Sequence, residues 1–124
     1  MFHFPKNQKL CNEKAIERLF EKGKSFTENP FRFVWNIEEN RDNVLVKSLI
    51  VVPKKRIKLA VDRNVIKRRA NEAYRLNKQV LESMLVRKNQ QLNLAIIYQK
   101  KEIVDYKIIE EKIKVLLGRL KDQL

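Results

Sequence analysis

The chain has 124 residues, with 28 Lys and Arg against 15 Asp and Glu, a formal net charge of +13 and 44% hydrophobic residues. That length fits one domain, the apolar fraction is enough for a core, and no apolar stretch approaches the ~20 residues of a membrane-spanning helix, so disordered and membrane-spanning classes are excluded. One cysteine (Cys11), one histidine (His3) and two glycines (Gly23, Gly118) exclude an internal disulfide, a histidine-based metal cluster and a Gly-rich phosphate loop.

In chain order, residues 1–9 lack the apolar segment of a secretory signal and are expected to be flexible. With a lone thiol, this points to a reducing cytoplasm. No linker or repeat divides the chain, so residues 1–124 are expected to form one domain. Residues 12 to 22 read as a helix. Asn12 is its cap, Ile16, Leu19 and Phe20 fall at helical spacing, and Gly23 is expected to end it by taking positive φ. Phe31-Arg32-Phe33-Val34-Trp35 alternates with period two and reads as a strand entered at Pro30. Phe31, Phe33 and Trp35 share one face, and Arg32 and Val34 the other. The large aromatics are expected inward, although a one-residue shift would reverse the faces. Glu38 to Asn43 is a polar turn. Val44 to Val52 is a β-branched strand that Pro53 ends. Asp62 to Lys78 is a helix and Leu92 to Tyr98 a strand. Asp105 is expected to cap a last helix with the stripe Ile109, Ile113, Leu116, Leu117 and Leu120.

The charge is concentrated. Between Lys54 and Lys78 ten basic residues face only Asp62 and Glu72, a net +8 in 25 residues. On a helical projection Arg63, Asn64, Lys67, Arg68, Asn71, Arg75 and Lys78 fall within an arc of roughly 140°. Ile66, Ala70, Ala73 and Leu76 fall opposite, and Arg69 is expected to snorkel out along its stem. No acid is expected on the cationic side, where an ordinary solvated helix interleaves Glu with Lys. Arg forks and Lys point charges arranged this way suit phosphate, and Asn suits sugar or base edges. The bland alternative is a solvated charged face. The Lys54-Lys55-Arg56 cluster after the second strand would extend the surface if its loop lies beside the helix.

Leu59-Ala60-Val61-Asp62-Arg63-Asn64-Val65-Ile66-Lys67-Arg68 resembles the signature Ala-Val-x-Arg-Asn-x-x-Lys-Arg of the bacterial ribonuclease P protein component family. The likeness extends to a first helix ending Phe20-Glu21-Lys22-Gly23, to the strand Leu49–Lys55 with its double Lys, to Leu92–Ala95 and to the last helix. The sequence departs from the family where Val65 and Asn71 stand in place of Arg, and where Lys58-Leu59 replaces Gly-Asn. No RNA contact is carried onto Val65. The resemblance implies an α+β fold, an α/β sandwich in the order α-βββ-α-β-α. Its central sheet would be mixed, with a left-handed βαβ crossover where physics alone favours a right-handed one.

The resemblance also implies a function. The chain would be the protein subunit of ribonuclease P, an endoribonuclease that matures the 5′ end of tRNA. The catalyst would be an RNA subunit with Mg²⁺ held mainly by RNA. The protein would be monomeric in a 1:1 ribonucleoprotein and would carry no catalytic residues. Arg63, Asn64, Lys67, Arg68 and Arg75, with Lys54, Lys55 and Arg56, would bind the RNA subunit. A groove lined by Ile16, Phe20, Arg32 and Val34 would hold the 5′ leader of precursor tRNA. The residues themselves offer no rival active site. Glu38-Glu39 and Glu110-Glu111 are sequence neighbours that read as solvated surface, and His3 and Cys11 stand without partners in the pattern. A non-catalytic basic RNA-binding protein, ribosomal or chaperone-like, remains the alternative. A protein-only nuclease fits poorly.

Overall fold

Alternation along the strand Phe31–Ile37 decides the architecture. The computed structural model describes residues 9–38 and 44–124. Its elements are α1 (Glu13–Lys22), β1 (Lys24–Glu28), β2 (Phe31–Ile37), β3 (Val46–Val51), α2 (Ala60–Asn77), α3 (Gln79–Lys88), β4 (Leu92–Tyr98) and α4 (Tyr106–Gln123). They form one four-stranded sheet in the order β1-β2-β4-β3. β1 and β4 pair with β2 antiparallel, and β3 pairs with β4 in parallel. The sheet is therefore mixed, and the β3–β4 crossover runs through α2 and α3. The expected order holds with one addition, α3. The expected flexibility of residues 1–9 falls outside the described residues except at Lys9, which bridges Ser48 in parallel, and residues 39–43 of the polar turn and His3 lie outside them as well.

Phe31, Phe33 and Trp35 enter the main core with Leu92, Leu94, Ile96 and Tyr98 of β4. Buried residues of α2, α3 and α4 close over this face, including Ile66, Leu81, Leu85, Ile109 and Leu116. Phe31 meets Tyr98 edge-on with ring centroids 5.5 Å apart. β1 adds Phe26, 6.0 Å from Phe33. The other face carries a smaller cluster of Leu10, Ala15, Leu19, Val34 and Ala95, with Ile16, Leu49 and Ile97 packed against it. The register places Ser25, Val34, Ala95 and Leu49 in one row across the four strands. α1 packs over β2 and β4 on this face through Ala15 and Leu19.

Several local expectations meet a different physical cause. Asn12 caps α1, with its Oδ1 accepting from the Ala15 N–H at 3.1 Å. Gly23 ends the helix at φ −69°, not at positive φ. A Cβ there would run into the Leu19 carbonyl oxygen and press on Val34 at 3.0 Å, so the position needs glycine for space. Asp105 occupies the cap of α4 without a side-chain hydrogen bond. Its carbonyl instead accepts from Ile108 and Ile109. Leu76 lies exposed, and Tyr74 takes the inward place on α2. α2 packs against α4, its fully buried positions include the small Ala70 and Ala73, and Leu76 is left outside.

Candidate nucleic-acid interface

Pro53 ends β3, and its carbonyl accepts from both Arg56 and Ile57, at 3.0 and 3.1 Å. Lys54, Lys55 and Arg56 thus sit on a tight turn. Ile57 is buried and anchors the turn in the core. Arg63, in the first turn of α2, donates through Nη1 to the Ile57 carbonyl at 3.0 Å and the Lys58 carbonyl at 2.8 Å. The guanidinium therefore fastens the basic turn against the helix. This is the arrangement in which the two charged stretches form one surface.

The face of α2 divides into two parts. Lys67 and Arg68 make no ion pair among the described residues, and Asn64 and Arg68 are exposed. Further along, Arg75 pairs with Glu72 at 2.8 Å and Lys78 with Glu82 at 3.8 Å. The expectation of an acid-free side therefore fails over the last turn. Glu72 is one turn before Arg75, and Glu82 belongs to α3, which the pattern did not locate. Arg69 leaves the apolar side as expected. It ends on the Val104 carbonyl at 2.9 Å, tying α2 to the segment before α4. A cleft of about 510 Å³ opens between the basic turn and this segment, lined by Lys55, Arg56, Lys58, Leu59, Lys101 and Ile103 among others.

The sheet face beneath α1 holds the second feature. Beside the row that α1 covers lies another, Thr27, Arg32, Ile97 and Val51, one residue from each strand. Its members are exposed or partly so. Ile16, Leu49 and Ile97 all pack against the cluster under α1, and Phe20 follows Ile16 one turn later on the same side of the helix. Phe20 is 46% exposed. Arg32 donates to Ser25 Oγ at 3.3 Å along this face. The row ends at Val51, three residues before Lys54, so this face of the sheet runs out toward the basic turn. Val34, expected in the groove lining, is only 2% exposed. It lies under α1 packed in the cluster with Leu19, so it offers no surface to a ligand.

On the opposite side of α1, Arg18 pairs with Glu38, which also accepts from Asn93 Nδ2 at 3.1 Å. The residues that sequence reasoning missed are Thr27, Val51 and Ile97. Their signal was the second parity of three strands, readable only once the pairing was known. Among the described residues no group of three or more His, Cys, Asp or Glu is placed to hold a metal ion, and no helix is long and apolar enough to cross a membrane.

Arg63 permits a sharp test. Arg63→Lys keeps the charge but cannot bridge two carbonyls with one planar fork. Each hydrogen bond from a charged group contributes about 1.5–3 kcal/mol, and exposure here places the loss near the lower figure. Hydrogen exchange should speed up at Arg56 and Ile57 while the sheet amides stay protected. Unchanged exchange in the turn would show that Arg63 does not hold it.

Comparisons with known proteins bear on the family and the fold. A family model described as Ribonuclease P matches residues 4–121. The ribonuclease P protein component of Porphyromonas gingivalis is 31% identical over 119 residues, covering 96% of this chain and 87% of that protein. The solved structure of the RNase P protein from Thermotoga maritima superposes with a TM-score of 0.71 at 27% identity, covering 90% of this chain and 96% of its own. The Staphylococcus aureus RNase P protein shares the fold, with a TM-score of 0.69 at 20% identity, over 92% of this chain and 95% of its own.

Proposed function

We propose roles for the side chains of a protein that belongs to the ribonuclease P protein component family, and so serves as the protein subunit of an endoribonuclease acting in tRNA 5′ processing. Its partners are the ribonuclease P RNA and the tRNA substrate. In our reading Lys67, Arg68 and Asn64 bind the RNA subunit directly. Lys54, Lys55 and Arg56 continue that surface, and Arg63 both contributes charge and positions the turn. Arg75 is secondary, because Glu72 already occupies it. The observation that carries this reading is the unpaired stretch of α2 fastened beside the basic turn. Like charges held this close repel one another, and a bound polyanion relieves the repulsion.

The groove between α1 and the row Thr27, Arg32, Ile97, Val51 would receive the single-stranded 5′ leader. Single strands are held by stacking on apolar or aromatic side chains beside cations, each stacked base contributing roughly 1–3 kcal/mol. Ile16 and Phe20 supply the platforms and Arg32 the cation. Phe20→Ala should weaken precursor tRNA binding by about tenfold, the lower end of that range, while mature tRNA binds as before. Equal effects on both would remove Phe20 from the leader site.

We propose that Mg²⁺ is held mainly by the RNA. The protein acts by screening: two polyanions meet, and the basic surface lowers the cost. We further read residues 1–124 as one cytoplasmic domain acting as a monomer in a 1:1 ribonucleoprotein. The test mixes the protein with a bacterial ribonuclease P RNA at low Mg²⁺ and adds precursor tRNA. Stimulated 5′ cleavage is expected, falling off with added salt as counterions compete. Binding without stimulation would favour a non-catalytic RNA-binding protein, and cleavage by protein alone would favour a protein nuclease.

A further inference from the structure

We propose that the open edge of β1 is a pairing surface for a second copy of this chain, and that Arg119 of α4 keeps it closed. The proposal does not depend on the RNA contacts above.

Backbone parity decides which groups lie on that edge. The Gln99 N–H donates to the Pro30 carbonyl at 2.8 Å and the Glu38 N–H to the Gln91 carbonyl at 3.0 Å. The even-numbered residues of β2 therefore turn their backbone groups toward β4. Phe31, Phe33 and Trp35 turn theirs toward β1, to Glu28, Phe26 and Lys24. The N–H and carbonyl groups of Ser25 and Thr27 are left pointing away from the sheet, and both residues are exposed. Among the described residues nothing pairs with the Ser25 N–H and carbonyl or with the Thr27 N–H. The opposite edge of the sheet is partly covered. There Lys9 bridges Ser48 of β3, and the Leu10 N–H donates to the Ser48 carbonyl at 2.8 Å.

An open edge is a template for another strand, and β1 is complementary to itself. Set antiparallel about Phe26, two copies of Lys24-Ser25-Phe26-Thr27-Glu28 place Ser25 opposite Thr27, so their outward N–H and carbonyl groups bond to each other in both halves. Lys24 falls opposite Glu28. Phe26 falls opposite Phe26 at a position without backbone bonds, where facing side chains come closest. Such a contact uses the same patch on both copies and closes as a dimer. This match of charge and register selects a second copy over an unlike strand.

Arg119 occupies the carbonyl, the carboxylate and the ring that the pairing would use. Its Nη1 donates to the Thr27 carbonyl at 3.1 Å and to Glu28 Oε2 at 3.4 Å. Its Cζ stands 4.7 Å from the centroid of the Phe26 ring. Lys112 holds the other Glu28 oxygen at 3.5 Å. Without Arg119, Glu28 Oε2 and the Thr27 carbonyl become available to an incoming strand.

The experiment uses the full chain without RNA, as wild type, Arg119→Ala and Arg119→Ala with Ser25→Pro. It follows sedimentation and amide hydrogen exchange across a range of protein concentrations. The wild type should stay monomeric. Arg119→Ala should dimerise at about 0.1–1 mM, a weak affinity in keeping with so small an interface. Exchange at the Ser25 and Thr27 amides should slow severalfold as the dimer fills. Ser25→Pro removes an outward N–H and no bond to β2, so the double variant should return to monomer. Amides of β2 and β4 that stay protected throughout show the fold intact. A monomeric Arg119→Ala overturns the proposal and leaves an unlike strand as the occupant to seek. Association that Ser25→Pro does not reverse, or that comes with lost protection in β2 and β4, also overturns it, because exposed core and not the strand edge then joins the chains. A wild type that dimerises as readily as Arg119→Ala removes Arg119 from the role.

Discussion

Replacing Lys67 and Arg68 together with glutamate should weaken binding to ribonuclease P RNA by about 100- to 10,000-fold at moderate salt. Charge-assisted hydrogen bonds contribute about 1.5–3 kcal/mol each, two are lost, and two repulsions replace them. The salt dependence is the sharper readout. Each phosphate contact contributes roughly 0.7–0.9 to the slope of log affinity against log salt, so the slope should flatten by nearly two units. A matched reversal at exposed Lys107 and Lys114 on α4 changes the net charge equally. It should cost far less affinity and barely alter the slope. Equal losses in the two proteins would mean that net charge matters and the α2 face does not.

Phe33→Ala should be the most damaging single change to stability. Phe33 is fully buried at the centre of β2, between Phe26 of β1 and Ile96 of β4. Deleting a buried phenyl ring costs about 3–5 kcal/mol, because lost burial and the remaining cavity add. Against a typical total of about 5–15 kcal/mol, that is a large share. With a urea m-value of about 1–3 kcal/mol/M, the unfolding midpoint should drop by roughly 1 M or more. The same deletion at Phe20, which is half in water, should move stability by no more than about 1 kcal/mol. The two phenylalanines thus separate folding from binding: one variant loses stability and the other loses leader affinity. Similar unfolding midpoints for both would contradict the burial described here.

Long-range pairing marks the limit of what the chain pattern reveals. β2 and β4 announce themselves because each has a fully apolar face, and the aromatic side of β2 turns inward as its side-chain sizes suggest. β1 does not. Lys-Ser-Phe-Thr-Glu is mostly polar with one inward ring, and it is a strand because β2 lies beside it. The resemblance called for a third strand before α2, but the residues alone did not locate it. α3 had a readable signal in Leu81 and Leu85, one turn apart, yet the charged stretch up to Lys78 drew the helix boundary there. Locating it would also have exposed Glu82 as the partner of Lys78. The cationic arc was legible because charge periodicity is local. The roles of Arg63 and Val34 were not, since one depends on where two carbonyls point and the other on where α1 lands.

The strand order carries a consequence for synthesis. β4 occupies an inner position between β2 and β3, yet it is the last strand to leave the ribosome, some forty residues after β3. Until Tyr98 emerges, β2 and β3 each present an unsatisfied edge and a row of uncovered aromatic or aliphatic side chains. The nascent chain must keep these edges from joining each other, and from pairing with neighbouring chains, before the missing strand can slot in. Nonlocal closure of this kind slows folding and invites aggregation of the incomplete chain. Truncation before Leu92 should therefore leave an insoluble product instead of a smaller working domain.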